Sequence, residues 1–594
     1  MYCQSGKCLI VDLTSHRVRS LPLPESLLSV YVGGSALATR LLLERSDAGT
    51  DPFGPNNPLV FACGALTGTM TPASSGHVVV TKSPLTGCLA ETVSFGRFSL
   101  ALRRSGYDAL VITGVSPSPV YLFIDDRTVH FLKADHLKGR GTSETTADIR
   151  RATGDLDVEV ASIGLAGDHR VRYATIEDGC HLTKRGGAGA VMGSKNLKAI
   201  AVRGTDSVSA SDLTALQEFC LSFYARCRSD SSLQSQWDPA ECLLDLDRAH
   251  ALPTRNFQQA SFKEAGALSQ SLREENLPVR RNACPTCPVA CRYVYKTGDR
   301  EIILGYEALA SLGPLCGIAS APSILKAAAL CESYGLDPVS CGGLIAWAME
   351  TSEKGLVGQK ESVPADIRFG KDTALLHMLD AITHRQGLGH LLAEGTRTAS
   401  SKTGQGSEQW AMHIRGLEIR PCDPRSSKSK ALELTLGLVD RPAVCCSLDS
   451  SASAFSQSLQ DDLAAALDSL MICPLAQSCF QHLPEDTSRL YYICTGTRMK
   501  PSEFMQLGQR AIALRRAFNV REGWQRSHDC LPARLLSGDL TEESLNAAMD
   551  DYYRSRGWTA AGLLPETIFK DLGIEDALEF SRGDWIGPSL HTVR

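Results

Sequence analysis

The chain has 594 residues, enough for several domains or one large layered body. Apolar residues at 43% and charged residues at 21% are ordinary for a globular protein in water. A net charge of −5 gives no reason to expect nucleic acid or an anionic membrane as partner. No run of about 18 apolar residues suggests a transmembrane helix. The first residues, Met1 to Lys7, lack the basic and apolar regions of a signal peptide, which points to the cytoplasm. Twenty-one scattered cysteines in so long a chain do not form a disulfide scaffold, and most are expected to be small buried hydrophobes.

The first third reads as β-rich. Lys7 to Leu13, Leu59 to Ala62, Val78 to Thr81, Ala109 to Ile112 and Val120 to Ile124 are short apolar, β-branched runs. Turns marked by Gly33-Gly34, Gly64, Gly68, Gly76, Gly87, Gly96 and Gly106 separate them. The stretch Lys184 to Lys195 is glycine-rich and flanked by cations. Its backbone N–H groups could approach an anion, or its glycines could serve tight packing. It lacks the order of a phosphate-binding P-loop, and its strand, Ala199 to Val202, comes after it rather than leading into it, so it makes a poor dinucleotide fingerprint. After Gly204 the pattern turns helical. Helices are expected over Ser209 to Arg228 with Ser211 as N-cap, Ala321 to Tyr334, Gly343 to Lys354, and Leu388 to Ser400. Ser229 to Gln236 and Gly355 to Asp366 read as loops. From Arg415 onward helices alternate with cysteine-bearing loops.

Cys284, Cys287 and Cys291 stand at C-x2-C-x3-C spacing in a stretch where Pro285 and Pro288 prevent a regular helix. Such a loop aims several sulfurs at one point. With a distant fourth thiol it would satisfy a [4Fe–4S] cube, in which each iron takes one cysteine. Zinc would more often use a second C-x2-C pair, and none follows. Unligated thiols are the remaining reading.

Several motifs together resemble the tungsten-containing aldehyde:ferredoxin oxidoreductase family: Gly6 to Thr14, Leu66-Thr67-Gly68-Thr69, Thr81 to Gly87, Gly106 to Ala109, Gly189 to Lys198, the cysteine triplet, Gly335-Leu336-Asp337, Cys422 to Arg425, and Asp468 to Cys473. The resemblance implies an α+β fold. A β-rich N-terminal base of two sheets (1–205) would lie under a bis-pterin cofactor, covered by two mainly α-helical domains (206–415 and 416–594). It implies a mononuclear tungsten, or molybdenum, on two pterin dithiolenes and a Mg2+ bridging the pterin phosphates. It also implies one [4Fe–4S] cluster on Cys284, Cys287, Cys291 and Cys473. His77, Val93, His181, Leu182, Arg185, Gly187, Asp337 and Asp468 fall at cofactor-binding positions. Asp337 and Asp468 match the two aspartates that hydrogen-bond the pterins, and Val93 would offer a backbone carbonyl to Mg2+. Glu307 is the candidate general base. The implied reaction oxidises an aldehyde to its acid and sends electrons through the cluster to ferredoxin or an iron–sulfur partner subunit. A homodimer is also conceivable. The alternatives are different chemistry, such as aromatic thioester reduction, or an electron-transfer protein that has lost catalysis.

The departures from the family pattern gather near the expected reaction centre. Family arginines fall at His77, between cluster and pterin, and at His181. The family's histidine near the metal is lost from Arg441 to Cys446, which leaves Cys445 as a candidate catalytic group beside Cys446. A thiol is a weak donor there, whereas a thiolate is a ligand for a soft metal.

Overall fold

The structure is a computed structural model, and it describes residues 2–179, 185–230, 237–274, 280–298, 300–356, 366–438 and 453–581. Its strands lie early in the chain and its helices late, in an α+β arrangement.

Ten strands build two sheets between Lys7 and Arg203. β1 (Lys7–Asp12), β2 (Arg17–Pro22), β3 (Leu59–Cys63), β4 (Gly76–Lys82), β5 (Leu89–Phe95) and β6 (Ala109–Thr113) form the first, in the order β2-β1-β6-β3-β4-β5. β7 (Val120–Asp125), β8 (Thr128–Lys133), β9 (Glu159–Ser162) and β10 (Leu197–Arg203) form the second, in the order β8-β7-β10-β9. β1 runs parallel to β6, and β10 parallel to β7; the other pairs are antiparallel.

Alternation along these strands divides the core. Leu9, Val11, Phe61, Val79 and Leu110 face the second sheet and meet its Leu122, Ile124, Ile200 and Val202. Cys8, Ile10, Val60, Ala62, Val78 and Val80 face the other way, onto helical residues including Leu37, Leu41, Leu467 and Leu514. Helices Gly34–Arg45, Ala454–Leu470 and Pro501–Arg521 carry that layer. The central runs of β1, β3, β4 and β6 are largely apolar because both faces of the sheet are covered there.

Each of the six strands expected from sequence is present, Ala199 to Val202 within β10. β2, β5 and β8 escaped because their residues are partly exposed and polar, and β9 because it is only four residues long with Glu159 and Ser162 at its ends. The expected helix at Ser209 runs from Leu213 to Ser229 and is capped by Asp212, not Ser211: the Asp212 carboxylate accepts from the Ala215 N–H at 2.9 Å. The stretch from Leu388 divides into Leu388–Leu392 and Thr396–Thr403, because Gly395 takes φ 87° and breaks the helix. A further three-stranded sheet, β11 (Arg280–Asn282), β12 (Arg292–Thr297) and β13 (Arg300–Ile303), sits in the mainly helical part. Asn282 pairs with Arg292, so the cysteine triplet is the loop of a β-hairpin.

Among the described residues no single helix is long and apolar enough to cross a membrane.

Candidate active site

Three chain segments meet at Ala73. Its N–H donates to the Thr286 carbonyl at 3.0 Å, and its own carbonyl accepts from the Cys473 N–H at 2.9 Å. Ser75 Oγ donates to the Pro285 carbonyl at 2.9 Å, and Tyr224 Oη to that of Thr286 at 2.7 Å. These bonds hold the triplet loop against the Asp468–Cys473 segment. Burial pushes the Cys473 thiol up, and the charges of Cys287, Cys291 and Cys284 push it further. Four thiols thus stand within electrostatic reach of one another. Yet among the described residues no three His, Cys, Asp or Glu side chains are grouped to hold one metal ion. A single zinc needs its sulfurs about 2.3 Å from one point. A cube spreads its ligands over separate irons and needs no such single point. Binding of cationic iron would also relieve the repulsion that raises Cys473.

Arg292 was not legible in the sequence. Its Nη2 donates to Cys284 Sγ at 3.0 Å and to the Phe95 carbonyl at 2.8 Å.

Two glycines let the Asp468–Cys473 segment press against the N-terminal region. Gly34 holds φ 44°, and a Cβ there would overlap the Asp468 carbonyl and lie 2.7 Å from that of Ser469. A Cβ on Gly64 would meet the Leu470 carbonyl and lie 2.6 Å from Met471 Cβ. Beyond this contact opens a cleft of about 1060 Å³. One wall is the edge strand β5, through Leu89, Glu91 and Val93; the opposite wall carries Asp468, Pro474 and Arg515. Since Pro474 follows Cys473 directly, the cleft ends beside the cysteine set. A second space of about 680 Å³, lined by Arg415, Leu417, Arg420 and Trp524, shares Leu89, Arg185 and Asn519 with it. Arg185 also lines a third of about 320 Å³.

Charge is compensated inside the cleft. Arg515 Nε donates to Glu91 Oε2 at 2.8 Å, and its Nη2 lies 3.6 Å from Asp468 Oδ2. Its other bonds go to the Leu438 carbonyl at 2.9 Å and Ser35 Oγ at 2.7 Å. Arg185 bonds the Glu418 carbonyl, with its Nε 3.5 Å from Asp337 Oδ2. The Asp337 carboxylate caps helix Pro338–Glu353, accepting from Val339 N–H at 3.0 Å and Ser340 N–H at 3.2 Å. Burial lifts its pKa to about 6 against the opposing pull of Arg185.

The expected site residues fall in distinct places. Asp468, Val93 and Arg185 line the main cleft. Asp337 is fully buried and acts on the cleft through Arg185. Gly186 lines the cleft, whereas Gly187 turns its α-carbon onto the Arg172 carbonyl, so Gly187 packs and its neighbour faces the space. His77 lines the third space together with Arg185 rather than the main cleft. On β4 it shares a face with Val79 and points between the sheets, flanked by the Phe61 and Phe98 rings at 5.8 and 5.2 Å. Its Nε2 lies 3.5 Å from Asp178 Oδ2. The two-residue period puts Gly76, not His77, on the Met471 side. Glu307 is buried in an ion pair with Arg420, and it is Arg420 that reaches the second space. His181, Leu182, Cys445 and Cys446 lie outside the described residues.

Family models match nearly the whole chain: aldehyde ferredoxin oxidoreductase, N-terminal domain, over residues 8–204, and domains 2 and 3 over residues 235–574. The chain is 32% identical to tungsten-containing aldehyde ferredoxin oxidoreductases of Pyrococcus horikoshii and Pyrococcus furiosus, covering 97% of this chain and 100% of each relative. It is 27% identical to the aliphatic sulfonate oxidoreductase, WOR-like subunit, of Pyrococcus furiosus, over 97% and 98%. The active site complex BamBC of benzoyl coenzyme A reductase shares its fold, with a TM-score of 0.85 at 24% identity over 98% of each chain. The chain is an oxidoreductase of the aldehyde ferredoxin oxidoreductase family.

Proposed function

We propose that this oxidoreductase oxidises an aldehyde to its carboxylic acid at a tungsten bis-pterin. Electrons would pass through a [4Fe–4S] cluster on Cys284, Cys287, Cys291 and Cys473 to ferredoxin or an iron–sulfur partner subunit. The overall change is RCHO + H2O → RCOOH + 2 H+ + 2 e−. One observation carries this reading: the Asp468 wall of the main cleft runs into Cys473, so a cofactor in the cleft would lie beside the cysteine set. The identity to tungsten-containing relatives along the whole chain supports it.

The polar groups of the cleft suit a pterin. Asp468 offers an acceptor to its amino and ring N–H groups, while Arg185 and the turn at Gly186 offer donors. β5 is an edge strand, so alternate carbonyls along it lack ladder partners, which suits Val93 as a source of oxygen for Mg2+. When bound, the tungsten bis-pterin supplies the two-electron oxidation, and the cluster passes the electrons singly.

The chain's own share is positioning and exclusion of water. Arg515 fixes Asp468 and Glu91 together. Leu417, Leu438, Ala464 and Leu467 give the cleft apolar walls. Glu307, the proposed general base, is held in place by its buried ion pair with Arg420. The pterin base is assigned to residues 1–205, and the helical cover to 206–415 and 416–594.

The reading is tested by anaerobic viologen-dye reduction with a panel of aliphatic and aromatic aldehydes. Dye reduction with at least one aldehyde is expected. Metal-loaded protein that reduces dye with none would overturn it in favour of another reaction of the family.

A further inference from the structure

A surface cleft of about 1320 Å³ opens on the cysteine triplet, on residues that the proposed catalytic cleft does not share. Cys284 and Pro285 line it. Cys284 is partly exposed, whereas Cys473 is buried, so the surface cleft reaches the accessible side of the thiol set. The Phe95 carbonyl, which Arg292 bonds at 2.8 Å beside Cys284, lies two residues before helix Arg97–Arg104.

That helix supplies one wall. Phe98 and Leu102 turn into the core between the sheets. Arg97, Leu100, Ala101 and Arg104, at i, i+3, i+4 and i+7, share the face that lines the cleft. Gly204 seats the helix firmly: a Cβ there would overlap the Ala101 carbonyl and lie 2.5 Å from Ser105 N. Arg97 and Arg104 are exposed, and among the described residues neither forms an ion pair. The other charges of the cleft are largely met by near neighbours. Arg203 Nε donates to Asp125 Oδ1 at 2.7 Å, its Nη1 lies 3.8 Å from Asp155 Oδ2, and Arg150 Nη2 lies 3.4 Å from Glu159 Oε2. Asp157 is exposed. Leu156, between Asp155 and Asp157, is 81% exposed, more than any other large apolar side chain among the described residues.

We infer that this cleft docks a small, freely diffusing iron–sulfur carrier of the ferredoxin type, with carboxylates around its redox centre, and brings that centre to Cys284. This rests on the proposed cluster. The guanidiniums of Arg97 and Arg104 attract the carrier's carboxylates, Asp157 repels them and so fixes the approach, and Leu156 offers one apolar contact. A permanently bound subunit would cover a larger and more apolar face, whereas a charged lining suits brief encounters. Each encounter passes one electron from the reduced cluster to the oxidised carrier, so two encounters complete the two-electron oxidation of one aldehyde.

The test uses the anaerobically purified holoprotein and, as probe, a purified acidic 2[4Fe–4S] ferredoxin. The double variant Arg97→Glu, Arg104→Glu reverses the charge of the wall. Arg554→Glu, at a side chain 77% exposed on helix Glu542–Ser555, is the control. The inference predicts that the Kd for ferredoxin, read by thermophoresis, rises about tenfold or more in the double variant and stays at the wild-type value in Arg554→Glu. Added salt should weaken binding to wild type more than to the double variant. Iron content and viologen-dye reduction should equal wild type in all variants. Wild type that does not bind the ferredoxin, or a double variant that binds it as wild type does, would overturn the inference. A wild-type dimer that the double variant splits, with ferredoxin binding unchanged, would put a second copy of the chain in the cleft and overturn it too. Protein that never held iron would instead contradict the cluster reading, so the two failures are distinguishable.

Discussion

Arg292 donates a hydrogen bond to Cys284 Sγ at 3.0 Å, and the same nitrogen anchors to the Phe95 carbonyl at the end of β5. The guanidinium therefore links a sulfur of the proposed cluster to the strand that walls the cleft. A cationic donor on a ligand sulfur favours the reduced, more negative cluster. Arg292→Leu is expected to lower the cluster potential by tens of millivolts, at about 59 mV for each factor of ten in the one-electron equilibrium. Arg292→Lys should recover part of that shift. An EPR-monitored redox titration reads the change; a potential equal to wild type in Arg292→Leu would refute the role.

Asp337 combines a cap with a buried charge. Its folded pKa of about 6 lies above the ordinary carboxylate value, so the folded state holds the proton more tightly than the unfolded state does. Its contribution is fully present below about pH 4 and is lost as pH rises through about 6. At 1.36 kcal/mol per pH unit, the loss is up to about 3 kcal/mol. Asp337→Asn keeps a capping acceptor and removes the titration. Melting curves between pH 4 and 7 should show wild type losing ground to Asp337→Asn as pH rises. Parallel curves would contradict this. Asp337→Ala also removes the cap, at about 1 kcal/mol, and should lower pterin content by loosening Arg185.

Gly34 is where the N-terminal region meets the Asp468–Cys473 segment. Gly34→Ala would force its Cβ into the Asp468 carbonyl at a left-handed φ of 44°. A loss above about 4 kcal/mol is expected from overlap plus strain, with low pterin and iron content in any protein that folds. Gly49, also at positive φ but with open space around its Cβ position, is the control. Equal stability of Gly34→Ala and Gly49→Ala would show that the contact is not tight.

The sequence made some of this legible. C-x2-C-x3-C spacing reveals itself locally, and the apolar runs of β1, β3, β4, β6 and β7 carry their own signal. The link from Asp468 to Cys473 came through resemblance, since a lone cysteine nearly two hundred residues from the triplet has no pattern of its own. Arg292 and Arg515 were invisible because an arginine's role depends on what the fold brings to it. His77 shows how far a match by position leaves the side chain undetermined. A match by position places it among the cofactor residues, but the side a strand residue faces depends on register, and its side chain lies between the sheets, at a space shared with Arg185. Gly187 and Gly186 differ in the same way, one packing and one facing the cleft.

The central claim is that Cys473 completes an iron–sulfur site with the triplet beside a tungsten cofactor. Metal analysis of anaerobically purified wild type and Cys473→Ser tests it most directly, with Cys530→Ser, an exposed thiol, as control. The account predicts about four irons and about one tungsten per chain in wild type, unchanged in Cys530→Ser, with loss of iron and of the cluster EPR signal in Cys473→Ser. Full iron content and an unaltered signal in Cys473→Ser, or zinc in place of iron in wild type, would contradict it.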